Sequence, residues 1–171
     1  MRRISSTGLT MLLPLLALSF LPAGVGRLQA WSKEEQRVED FLYRPSRESP
    51  ANADDLTKLL FDRYKAAHLE VRLMLQTLGE PSLRYNAQFS DAVNRMVDAE
   101  LEVVTKREER LAILEGHARF LKEAWRVTKD RYERGARGVT LTDAARARYY
   151  QFDAEIRLLK AKREKDATAR P

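Results

Sequence analysis

No cysteine occurs in the 171 residues, which excludes disulfides, thiolate nucleophiles, iron–sulfur clusters and cysteine-bound zinc. Histidine is nearly as scarce. His68 and His117 are the only two, and their nearest carboxylates, Glu70 and Glu115, each stand two residues away. That spacing puts partners on different helix faces rather than around one metal, so both read as surface or seam histidines and no metal ligand is assigned. A phosphate-binding loop is missing too: "GARG" (135–138) precedes a helix pattern but lacks the lysine–serine/threonine pair of a P-loop. No Ser–His–Asp spacing stands out, and carboxylates such as Glu102, Asp130 and Asp153 sit four residues before Lys106, Arg134 and Arg157, the spacing of solvated helix faces. These absences predict no catalytic residues, no cofactor and a non-enzymatic role.

Helix breakers are few. From residue 31 onward the only glycines are Gly79, Gly116, Gly135 and Gly138, and the only prolines Pro45, Pro50, Pro81 and Pro171. Between them run stretches rich in Ala, Leu, Glu, Lys and Arg, the strong helix formers. No segment alternates apolar and polar residues over strand length, so no sheet is predicted.

The one long apolar run, "LTMLLPLLALSFL" (9–21), is too short to span a membrane, which takes roughly 20 apolar residues, and Pro14 interrupts it. Arg2 and Arg3 precede it and "PAGVGRLQA" leads to Ala30, the layout of a cleaved secretory signal. The chain is therefore expected to be exported, periplasmic or envelope-associated, with membrane contact only if residues 1–30 stay attached. Those residues carry three of the 31 basic side chains and no acid, leaving 28 against 25 acidic and a balance of about +3. So even a mixture argues for a protein partner, by self-association or with an envelope component, and not for nucleic acid.

A first short helix is predicted from the capping box Ser32–Glu35 to about Tyr43, before Pro45. A polar linker with two prolines follows (44–54). The second helix starts near Asn52 or Asp54, shows the stripe Leu56, Leu60, Tyr64, Ala67, Val71, Met74 and Leu78, and ends at Gly79 and Pro81. Between 82 and 134 only Gly116 disfavours helix, by about 1 kcal/mol relative to alanine. One continuous helix is therefore predicted there, with two apolar seams: Val97, Val104 and Leu111 on one, Phe120 and Val127 on the other. Glu100 and Arg107 occupy seam positions that leucine would fill better. They set register, or mark a bend at which "TKRE" (105–108) caps a fresh helix; with no breaker nearby, continuity is the reading adopted.

Gly135 and Gly138 supply positive-φ positions that stop this helix, and Thr140, with Asp143 three residues on, caps the last one. That helix presents Leu141, Ala145, Tyr149, Phe152, Ile156 and Leu159 on one face, taken as its core side, with Tyr150 partly exposed. The flanking helices have about 27 and 26 residues and the middle segment about 53, so at about 1.5 Å per residue two short helices match one long one. The predicted fold is all-α: a long antiparallel helical hairpin or bundle, one long central helix flanked by two shorter ones. Its organisation is a signal (1–30), a short helix and linker (31–51), a hairpin domain (52–166) and a disordered tail (167–171). A faint repeat relates 79–104 to 138–159, each a breaker, a leucine, then Asp-Ala-Glu and an apolar run.

"RYERGARGVTLTDAARARYYQFDAEIRLLKAK" (131–162) is similar to the tyrosine–glycine hairpin repeat of TolC-like outer-membrane efflux proteins. The chain after residue 30 resembles small, uncharacterised exported bacterial helical proteins carrying that hairpin, in which "LAILEGHARFLKEAW" (111–125) corresponds to a recurrent leucine–glutamate–histidine stretch. The resemblance implies a periplasmic helical hairpin with two short helices beside a long one. An efflux component requires two such repeats plus membrane strands, for which this chain has no room, so a working channel is not implied; an efflux outer-membrane component stands as a further alternative expectation. The expected function is helix-to-helix interaction or scaffolding in the envelope, with Val97, Val104, Leu111, Phe120 and Val127 as candidate seam. A second expectation is a periplasmic chaperone or stress sensor of the Spy-like sort: "LTDAA" (141–145) resembles the start of that group's Leu-Thr-x-x-Gln motif, with Ala145 where glutamine belongs.

Overall fold

The structure is a computed structural model. It describes residues 33–78 and 85–168, with side chains to Glu164, all within the unit Trp31–Pro171. The expected signal, the Ser32 cap and the turn at Gly79 and Pro81 lie outside the described residues. Those described are all helical between loops, with no strand among them.

Helix α1 (Lys33–Leu42) buries Val38, Phe41 and Leu42, a single apolar turn. It stops short of Pro45, whose ring disfavours helical angles at the preceding residue. Helix α2 (Asp55–Thr77) begins at Asp54, whose carboxylate accepts from the Thr57 N–H at 2.7 Å. That bond holds the Asp54 carboxyl below the usual carboxylate range. The inner face of α2 is Phe61, Tyr64, His68, Val71 and Leu75. The predicted stripe is thus rotated by about one residue: Tyr64 and Val71 stay inside, whereas Leu56 lies outside. Leucines stand on both sides of this helix, and the ion pairs Arg63–Glu102 and Arg95–Glu70 join it to the next helix in this rotation.

The expected continuous middle helix is two. Helix α3 (Ala87–Val103) is capped by Asn86, which accepts from the Phe89 N–H at 2.7 Å. Residues 104–106 then leave helical angles, Val104 at φ −94°, ψ 117° and Lys106 at φ −72°, ψ 126°, and helix α4 (Arg107–Glu133) follows. The break needs no glycine. Val103, Val104 and Thr105 form a β-branched run that weakens helix, and the Arg110 Nη1 donates to the carbonyl oxygens of Leu101 and of Val104, the latter at 2.9 Å. A guanidinium from the following helix thereby satisfies carbonyls that a left-handed glycine cap would otherwise serve. The N-cap position is Lys106, without a side-chain cap bond, rather than Thr105; Glu108 and Glu109 in the first turn favour the helix dipole instead.

At its far end α4 closes in the expected way. Gly135 (φ 66°) donates to the Tyr132 carbonyl and Ala136 to that of Arg131, both at 2.9 Å. That is a Schellman cap. Gly138 (φ 77°) completes the turn. Thr140 and Asp143 then bond reciprocally, Thr140 N–H to Asp143 Oδ2 at 2.8 Å and Asp143 N–H to Thr140 Oγ1 at 3.2 Å. Helix α5 (Leu141–Thr168) starts there and runs two residues into the expected tail.

Cross-helix partners give the topology. Glu70–Arg95 and Arg63–Glu102 set α2 antiparallel to α3. Phe89–Phe120 and Asn94–His117 set α3 antiparallel to α4. Trp125–Arg148 and Glu115–Lys162 set α4 antiparallel to α5. The pairs Asp91–Tyr150 and Asp98–Arg157 leave α3 and α5 parallel neighbours. Because the chain folds back at 104–106, α3 and α4 form the centre of a bundle instead of one rod. Helix α1 packs on α4, contributing to the same core as the helices after residue 52. Residue 51, the expected boundary, lies within the loop that leads to α2.

Gly116 is where α1 seats. A Cβ added to it would lie 2.2 Å from Phe41 Cδ2 and within 2.9 Å of two other ring atoms. Overpacking of this kind costs about 1–3 kcal/mol, more than the helix propensity of about 1 kcal/mol that alanine regains. We predict that Gly116→Ala destabilises the protein in urea titrations but stabilises the Phe41→Ala variant. The same sign in both backgrounds would refute the notch.

Candidate interaction surface

The rotation of α5 decides what it shows to solvent, and polar tethers set that rotation. Tyr150 donates to Asp91 Oδ1 at 2.5 Å, Arg157 bonds Asp98 at 2.7 Å, and Lys162 pairs with Glu115 at 2.8 Å. Arg107 reaches from α4 to the Ala161 carbonyl at 3.0 Å, and the Arg148 guanidinium lies 4.2 Å from the Trp125 ring centroid. The side turned inward is mostly small or polar, with one leucine: Gln151 and Ala154 are buried, and Ala147, Leu158 and Ala161 half-buried.

The face read from the sequence as core therefore points outward. Leu141 is 64%, Tyr149 65%, Phe152 45%, Ile156 49% and Leu159 55% exposed, and Ala145 between them is exposed too. The expectation failed because an alanine face packs as closely as a leucine face, while charged partners on α3 and α4 choose between them. Tyr150 is half-buried as expected. Arg148 also lies 4.4 Å from the Phe152 ring centroid, so it bridges Trp125 of α4 to the outer stripe.

The candidate seam fares in the opposite way. Val97, Val104 and Phe120 belong to the main core, and Leu111 and Val127 are half-buried. Folding α3 against α4 consumes both seams internally, which a continuous rod would have left open. A second outward apolar group lies on α2, where Leu56, Leu59, Leu69 and Leu73 are exposed, interrupted by Asp62 and by Arg63, which pairs with Glu102.

Around Glu100 the charged groups partner one another. Glu100 is 1% exposed and accepts from Arg44 through both oxygens and from Arg47 Nε at 3.3 Å. Arg47 Nη1 reaches Glu109 at 2.6 Å, which with Lys106 holds the Glu109 carboxyl below its ordinary range. The Arg44 carbonyl accepts from His68 Nε2 at 2.9 Å. A cleft of about 370 Å³ between α1, the linker and α4 opens over these groups, whose donors and acceptors are already committed to each other. The two histidines meet no common cluster, and the described residues contain no group of three metal-ligating side chains.

His117 is buried, with Nε2–H donating to Asn94 Oδ1 at 2.7 Å and Nδ1 without a partner. Desolvation, then the nearby Arg157 and Arg44, lower its pKa to about 3.

No family model matches the chain, and no match is found among curated proteins or solved structures.

The histidine shift predicts a pH dependence. Folded His117 titrates near 3 against 6.5 as an ordinary imidazole. Its contribution is thus fully present above pH 6.5 and is lost as pH falls toward 3, by at most about 1.4 kcal/mol per unit. His68, shifted in the same direction by burial, adds to the slope. Between pH 6.5 and 5, His117→Gln should flatten the loss of urea stability by up to one proton. Identical slopes for the two proteins would reject the assignment.

Proposed function

We propose that this chain is an exported, non-enzymatic helical interaction protein of the bacterial envelope that docks partners through the outer face of α5. One observation carries the reading: five large apolar side chains, in helical register over about five turns and on a helix tethered from beneath, are each 45–65% exposed. Single exposed apolar residues are ordinary, but a contiguous stripe rimmed by charge marks an interface. Two of the five are aromatic, the type that anchors such contacts. Arg2, Arg3 and the apolar stretch after them support export. The hairpin at 131–162, with its Schellman turn and capping box, supports the likeness to TolC-type hairpins. Acids alternate with bases along the stripe's edges, which disfavours a track for phosphate backbones.

The test is site-specific photocrosslinking in cells. A benzophenone side chain at Phe152 or Ile156 should give adducts, and one at exposed Lys122 on α4 should not. Phe152 and Ile156 no more reactive than Lys122 would overturn the reading.

The exposed leucines of α2 favour a second reading, a chaperone that holds unfolded clients against Leu69 and Leu73. It predicts that the purified protein suppresses aggregation of a denatured client and that Leu69→Ser/Leu73→Ser abolishes this. A protein inert in that assay is no chaperone.

A further inference from the structure

The stripe on α5 fits a second copy of itself. Along one edge stand Arg146, Asp153 and Lys160, and along the other Arg148, Glu155 and Lys162, each series seven residues apart and so in line with the stripe. Each edge reads basic, acidic, basic. An edge of one sign would repel its own copy, whereas one that changes sign pairs with itself when the two copies are displaced by the distance between blocks.

We propose that two copies of this protein associate through α5, antiparallel, about a two-fold axis crossing the helix between Tyr150 and Gln151. The inference rests on the reading of α5 as a docking face and names its occupant. In this arrangement Tyr149 stands opposite Phe152 of the second copy, and Ala145 opposite Ile156, so a small side chain meets a large one at the outer layer. Leu141 and Leu159 close the two ends. Arg148 faces Glu155 across one edge and Arg146 faces Asp153 across the other, and the symmetry makes each pair twice. Acid and base thus meet on both edges, and the helix dipoles oppose. A parallel pairing in register also joins opposite charges, Arg148 to Asp153 and Glu155 to Lys160. It stacks Ala145 on Ala145 and Tyr149 on Tyr149, however, and aligns the dipoles. The outer face of α2 is a poorer candidate because Asp62 and the paired Arg63 divide it. An anionic lipid surface fits worse as well, since Asp153 and Glu155 sit midway along both edges.

The footprint is one helix face about 27 Å long, from Leu141 to Leu159. That is at the small end of stable interfaces, so the dimer is expected to be micromolar rather than nanomolar.

Analytical ultracentrifugation of the purified protein across the micromolar range, with circular dichroism as a check on folding, reads this directly. Arg146→Glu, at an exposed position, should raise the dimer Kd about tenfold, and Arg146→Glu/Asp153→Arg should restore it. In the parallel arrangement Arg146 meets no charge and Asp153→Arg is not rescued, so failure of the swap overturns the orientation. Because the chain has no cysteine, mixed Ala145→Cys and Ile156→Cys chains should form the disulfide, whereas Ile156→Cys alone should not. A wild-type protein monomeric at every concentration overturns self-pairing. Photocrosslinked adducts at Phe152 of a mass other than twice the chain would then leave the docking reading standing, and the absence of any adduct would remove both.

Discussion

A carboxylate buried in an apolar core is held only if cations reach it, and in this protein the two that do come from a loop. Burying Glu100 without partners would cost several kcal/mol. Arg44 and Arg47 meet it from the linker after α1. Placing them there draws the linker across the end of α3 and lays α1 along α4, where the missing side chain at Gly116 admits Phe41. Arg47 goes on to Glu109, so the same linker grips α3 and α4 on either side of the break at 104–106. One ionic knot thus fastens the N-terminal segment and secures the reversal that turns a potential rod into a bundle.

What could be read from the sequence follows the range of the interactions concerned. Asp54, the Gly135 cap and the Thr140–Asp143 box were legible because each is satisfied within a few residues of itself. The break after Val103 was not, because its carbonyls are taken by Arg110, whose role appears only once α4 has turned back. Glu100 and Arg107 in seam positions were the available signal. Each departs from apolar packing, and each is bonded to a distant element, the linker for Glu100 and the Ala161 carbonyl for Arg107. Read as bridges instead of register marks, they would have pointed to a fold in which the middle segment does not run straight.

The two misplaced faces have one cause. Helices α2 and α5 carry apolar residues on more than one side, and periodicity ranks a leucine stripe above an alanine one. Packing does not: small side chains let helices approach closely, and charged tethers such as Arg157–Asp98 are indifferent to the hydrophobicity of the face beneath them. The result is a bundle whose interior is completed by modest residues and whose outer stripe is richer in apolar bulk than folding requires. Surplus of that kind on the outside of a helix already fixed from within is what a docking surface needs, because little order remains to be lost on binding.

The faint repeat gives this surplus a structural measure. Asp98-Ala99-Glu100 of α3 and Asp153-Ala154-Glu155 of α5 stand on parallel neighbouring helices, each following an antiparallel partner, and both alanines are buried. In that register Phe152 corresponds to Val97 and Leu159 to Val104, which α3 buries completely or nearly so, whereas α5 leaves their counterparts half exposed. Glu100 is closed over by the linker arginines, while Glu155 stays at the rim, bonded to Gln151 of its own helix at 2.8 Å. The equivalent face is thus covered in one helix and open in the other. Helix α3 has α2 and the linker upon it; α5 has the chemistry of a covered helix, and among the described residues nothing covers it.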